Sequence, residues 1–169
     1  MKFLVEHLKN LRELYLNQLQ MLLSAEEQIA IATPDMIARA TDPELKGALQ
    51  IHKDETENQV LRIKQILTAE IGAAELVKCK AVQALIAEAE DMFLDARNDA
   101  VRDVALIAAA QRIEHFEIAA YGAIRRFAEI LGDSAAAALL TQTIDEEGNA
   151  DRVLNEIAER LNFDAKQAA

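Results

Sequence analysis

The sequence has one cysteine, Cys79, so no intramolecular disulfide is possible and a disulfide-stapled scaffold is excluded. It has two prolines, five glycines and no tryptophan, and it lacks clustered β-branched and aromatic runs. No strand is therefore expected. Basic patches are missing too: the net charge is −11, which argues against binding to nucleic acid or to anionic membrane surfaces. No apolar run approaches the length of a membrane span. The opening residues, Met1-Lys2-Phe3-Leu4-Val5-Glu6, place an acid where a signal peptide would have its apolar stretch. A cytoplasmic protein in a reducing compartment is the expectation. Gly-rich phosphate loops, Cys-x-x-Cys pairs and Ser-His-Asp arrangements are also missing, which leaves nucleotide-dependent and nucleophilic enzyme classes without machinery.

Alanine, leucine, glutamate, lysine, glutamine and arginine predominate instead, and these lose least on entering a helix. Apolar residues at spacings of three and four predict a first helix from Val5 to Arg39, through Leu8, Leu11, Tyr15, Leu19, Leu22, Leu23, Ile29 and Ile37. Pro34 should kink or break it. A second helix begins at Thr41-Asp42-Pro43-Glu44, capped by either Thr41 or Asp42, and runs to Glu70. Gly72 stops it. A connector with its own helical pattern at Ala81–Leu94 leads to a third long helix, Asp99–Leu131. Gly132 ends that one, and Asp133 or Ser134 caps a fourth that reaches Leu161. Residues 162–169 are expected to fray.

These connections constrain topology. Helices one and two join tightly, as do three and four, so each pair forms an antiparallel hairpin. The helix in the connector alone covers roughly 21 Å, enough to carry the chain along the bundle. The predicted fold is all-α: one ferritin-like four-helix bundle domain, residues 1–169, with a long crossover carrying an additional short helix.

Charged residues interrupt the apolar stripes. Glu26 is flanked by Leu22, Leu23 and Ile29, and a bare carboxylate buried there costs several kcal/mol without compensation. On the second helix the stripe through Leu45, Leu49 and Ile63 is broken by His52-x-x-Glu55. The third sets Glu114 and Glu117 on one face with Ile107, Ala110, Tyr121 and Ile124. Two acids three apart would repel each other in a dry core, and a cation between them removes the conflict. On the fourth, Leu140, Ile144, Glu147, Asp151 and Leu154 form one stripe. Glu147 is preferred over its neighbour Glu146 as the inward acid. Asp151 reads equally as a ligand, an acceptor behind the ligands or rim. Glu26 and Glu55 lie at comparable distances either side of the first turn, and Glu114 and Glu147 do likewise around Gly132. Converging carboxylates plus one imidazole form an oxygen-rich site suited to iron or manganese, with zinc a further candidate. Tyr121, one turn beyond Glu117, is placed to support a ligand carboxylate or to pack in the core. His115 points away from that face.

The stretches Ser24-Ala25-Glu26-Glu27-Gln28-Ile29, His52-x-x-Glu55-Thr56, Asp103 to Gln111, Glu114-His115-Phe116-Glu117-Ile118-Ala119-x-Tyr121-Gly122 and Glu146-Glu147 resemble the YciE/YciF family of ferritin-like bacterial stress proteins, over nearly the whole chain. The resemblance implies a homodimer and a rubrerythrin-like dimetal centre, two ions per chain, with Glu26, Glu55, Glu114, Glu117 and Glu147 as carboxylate ligands and His52 as the nitrogen ligand. The pattern departs from the wider ferritin-like one in reading His-x-x-Glu, with Asn58 where a histidine would follow Glu55. It implies a stress-response role, oxidising ferrous iron or consuming oxygen or peroxide. The alternative is a non-catalytic structural or interaction protein whose metal site is vestigial or filled opportunistically.

Overall fold

Each helix starts and stops where a side chain or a glycine satisfies its free backbone groups. The computed structural model describes residues 8–167; the expected first turn from Val5 begins outside them. Helix α1 spans Leu11–Arg39, with the Asn10 side chain accepting the Glu13 N–H. It is not broken at Pro34, where only one intrahelical donor is lost. Helix α2 spans Pro43–Ile71. The two capping alternatives resolve in favour of Asp42, whose carboxylate accepts the N–H groups of Glu44 and Leu45, both at 3.0 Å. Gly72 ends α2 in the left-handed region, φ 73°, a conformation that glycine adopts without steric cost.

Helix α3, Lys80–Asp95, lies in the crossover. Helix α4 spans Asp99–Leu131, capped by Asn98 and ended by Gly132 at φ 84°. Helix α5 spans Ser134–Gln167, continuing beyond the expected end at Leu161. Asp133 caps it, accepting the Ala136 N–H at 2.9 Å. No strand occurs among the described residues.

Helices α1, α2, α5 and α4 pack as a ring, each against the next, while α3 lies across α1 and α4. The apolar contacts give the directions. Tyr15 near the start of α1 shares a cluster with Ile124 and Ala128 near the end of α4, and with Leu67 near the end of α2. Met36 at the far end of α1 shares a second cluster with Leu45, Leu106 and Leu161. Neighbours in the ring are therefore antiparallel, and the crossover must traverse the bundle. Helix α3 does so: Val82 packs in the first cluster, and Ala89 and Phe93 in the second. The connector is also tied to α1 by polar groups. Cys79 N–H donates to Ser24 Oγ at 3.2 Å, and Gln28 Nε2 donates to the Cys79 carbonyl at 3.1 Å.

The core is thus in two halves. Between them, at mid-length of the four ring helices, lies a polar layer.

Candidate metal centre

The polar layer follows from helical periodicity applied to four inward faces. Glu26 comes from α1, His52, Thr56 and Gln59 from α2, Glu114, Glu117 and Tyr121 from α4, and Glu147 from α5; all are buried. Spacings of three and four stack these groups on the same faces as the leucines and isoleucines above and below. Packing of those apolar neighbours carries the acids into the interior.

His52, Glu114, Glu117 and Glu147 each present one ligand atom, and these atoms all lie within 4.8 Å of one another. His52 Nε2 is 3.5 Å from Glu114 Oε1, and Nδ1 is 3.9 Å from Glu147 Oε2. A four-coordinate tetrahedral ion with bonds of about 2.1 Å holds its ligands about 3.4 Å apart. Closing this group onto one ion therefore needs the more distant atoms to draw together by about an ångström. Glu26 adjoins the group: its Oε1 accepts the Tyr121 hydroxyl, and its carboxyl lies within hydrogen-bonding reach of Glu117.

The electrostatics are those of a site short of positive charge. No N–H or O–H reaches Glu26 Oε2, Glu114 Oε2, either oxygen of Glu117, Glu147 Oε2 or His52 Nδ1. Burial pushes Glu26 up to about 8, with Glu147 adding repulsion. Burial likewise drives Glu114 and Glu117 well above the usual carboxylate range, helped by the neighbouring acids. Glu147 is also raised by burial, against the opposing hydrogen bonds of Glu114 and Gln59. Burial lowers His52 to about 4, so its imidazole is neutral and keeps a lone pair for a metal. The same desolvation raises Tyr121, which stays a hydroxyl donor to Glu26.

Other acids take different places. Glu55 is half-buried outside the four-residue group, on the wall of a pocket of about 60 Å³ that also touches His52 and Glu114. Asp151 lies further out, where Oδ1 accepts Gln111 Nε2 at 3.3 Å and sits 3.3 Å from exposed His115 Nε2. Glu146 points away from the layer and pairs with Arg62, whose Nη2 donates to Oε1 at 2.7 Å. Glu147 is the inward residue of the two, fully buried.

Two polar contributors stood on the second-helix stripe only as alternatives, Thr56 to Glu55 and Gln59 to Val60, with no role assigned. Gln59 is fully buried, and its amide donates both to Glu147 and, at 3.2 Å, to Glu146 Oε2. It orients the one carboxylate and links it to the Arg62 pair. Thr56 donates its hydroxyl to the His52 carbonyl at 2.9 Å, bracing the turn that carries the imidazole. Polar residues continuing the His52 stripe at steps of four and then three, Thr56 and Gln59, were the available signal.

A ring of antiparallel helices with a long crossover, whose apolar core is split by buried carboxylates and an imidazole, defines a ferritin-like protein. Comparison with known proteins narrows the class. The family described as Domain of unknown function (DUF892) matches residues 10–166. Protein YciF of Escherichia coli strain K12 is 36% identical over 153 residues, covering 90% of this chain and 92% of that protein. The crystal structure of the E. coli stress protein YciF superposes with a TM-score of 0.88 at 35% identity, over 92% of this chain and 99% of that one. YcfI of Rhodopseudomonas palustris, provisionally described as a structural protein, gives 0.87 at 35% identity, over 90% and 98% of the two chains. A Xanthomonas campestris protein at 20% identity shares the fold, with a TM-score of 0.76 over 94% of this chain and 99% of that chain. The chain belongs to the YciE/YciF family of ferritin-like bacterial stress proteins.

Proposed function

We propose that this chain is a dimetal carboxylate protein, with iron as its metal, that acts in the cytoplasmic stress response by oxidising ferrous iron or consuming oxygen or peroxide. One observation carries the reading: five carboxylate oxygens and one imidazole nitrogen, all buried and all without donors, converge between two apolar half-cores. Such a cluster is costly on its own account and is balanced by cations.

In this reading His52, Glu114, Glu117 and Glu147 would hold one ion, and Glu26, which adjoins Glu117, would add a carboxylate for a second. Glu55, a ligand by the family resemblance, and Asp151, read as ligand, acceptor or rim, are not among these four grouped residues. When bound, the metal supplies the change of oxidation state that the reaction with an oxidant needs. The chain's own contributions are separate. The apolar half-cores exclude bulk water from the layer. Gln59 holds Glu147, and Tyr121 holds Glu26 while keeping its own proton. The raised Glu26, Glu114 and Glu117 carboxyls release protons as a cation arrives, so binding is coupled to proton loss.

Anaerobic loading with ferrous iron, followed by oxygen or hydrogen peroxide, tests the proposal. The expected outcome is stoichiometric oxidant consumption with growth of ferric absorption, both lost in Glu114→Ala. Oxidant consumption no faster than that of free ferrous iron, unchanged by the substitution, would reject it.

The provisional structural description of the Rhodopseudomonas relative favours a second reading, a helical structural protein whose site fills opportunistically. Sedimentation analysis bears on both, because the family resemblance implies a homodimer.

A further inference from the structure

The ligand group is buried, so an ion needs a path to it. The pocket between α2 and α5 gives a path: it is lined by Ala48, Ile51, Glu55, Asn149 and Val153 and reaches His52 and Glu114. At its inner end, His52 Nδ1 and Glu114 Oε2 are buried and have no hydrogen-bond partner. Most of its wall is aliphatic, which opposes a cation shedding water. Glu55 is the anionic side chain on that wall outside the buried layer. It stands one helical turn from His52 on the same helix, with the half-buried exposure of a group that meets both solvent and the interior. A carboxylate there would replace water ligands that an ion sheds on passing inward.

We propose that the α2–α5 pocket is the admission route for divalent cations and that Glu55 is a transfer site on it, not a ligand of the finished centre. The inference rests on the metal-binding reading above and deepens it. Neutral oxidants have no need of the Glu55 charge, so the role is confined to loading.

Cobalt(II) uptake by metal-free protein, followed by its visible absorption in a stopped-flow instrument, separates the possibilities when combined with elemental analysis after desalting. Glu55→Gln is expected to load about tenfold more slowly than wild type, the effect of weakening one charge attraction on the path. Its final ion content is expected to equal wild type's. Ala150→Leu, which narrows the same pocket, is expected to slow loading with Glu55 intact. Circular dichroism melts verify that both variants fold. An unchanged loading rate in folded Glu55→Gln would overturn the transfer role, and a lower final ion content would overturn it in favour of direct ligation. Failure of wild type itself to take up cobalt would reject the metal-binding reading, and this inference with it.

Discussion

Two buried groups of carboxylates in this bundle are handled in opposite ways. Asp103, 2% exposed near the start of α4, receives three donors: the Thr41 N–H at 2.8 Å, the Thr41 hydroxyl at 2.6 Å and the Asp42 N–H at 2.9 Å. It locks the turn between α1 and α2 to α4. Glu117 is just as deeply buried, and neither of its oxygens meets a donor. A satisfied carboxylate is structural; a set of unsatisfied ones facing one another is a group that could hold a cation.

Substitutions provide the largest break in that contrast. Asp103→Ala strands the two N–H groups and the hydroxyl, and should cost roughly 3 kcal/mol, a fall of about 10 °C in melting temperature. Glu117→Leu in metal-free protein should raise stability by roughly 1–2 kcal/mol, since it removes an uncompensated buried acid. Thermal melts of both variants in chelator test the opposite signs; destabilisation by Glu117→Leu would contradict the account.

The pH dependence of metal-free stability comes next. Glu26 has a folded value of about 8, above its unfolded one, so its contribution is full below about 4.5 and is lost as pH rises toward 8. Glu114 and Glu117 act in the same direction. His52, lowered to about 4, works oppositely between 4 and 6.5, where the unfolded chain binds the extra proton. From pH 6.5 to 8 the carboxyl effect is unopposed, and stability should fall by roughly 2 kcal/mol from Glu26 alone. Urea titrations in chelator measure it. Bound metal should flatten the trend, because the acids are then already deprotonated.

A smaller effect sharpens the role of the donors around the cluster. Gln59→Leu removes the amide that orients Glu147 and should weaken metal binding about tenfold at unchanged ion content, measured by competition with a chromophoric chelator. Smallest of all, Asp151→Asn should leave ion content unaltered, because Asp151 faces Gln111 and His115 outside the four-residue group.

Much of this arrangement is legible in the helical stripes. Glu26, His52, Glu114, Glu117 and Glu147 each sit at a position that packing forces inward, and periodicity alone favours Glu147 over Glu146. Glu55 and Asp151 show where periodicity gives out. Each lies one turn from an inward residue, and the small rotation of a helix about its axis decides between a buried position and a half-buried one. That rotation is set by tertiary packing. Gln59 was ambiguous with Val60 for the same reason. Asp103 lies beyond the first turn of α4, whose acid is Asp99, and nothing in its local sequence marks it as a lock for another turn. Its three donors come from a turn some sixty residues away in sequence, and no local pattern announces them. Pro34, by contrast, read as a kink or a break, and α1 runs through it unbroken.

The most direct test is elemental analysis of protein loaded anaerobically with ferrous iron and then desalted, wild type beside Glu117→Leu. The account expects about two ions per wild-type chain and a loss of bound iron in the variant, even though its metal-free form melts higher. Substoichiometric iron in wild type, or equal iron in both proteins, would contradict it.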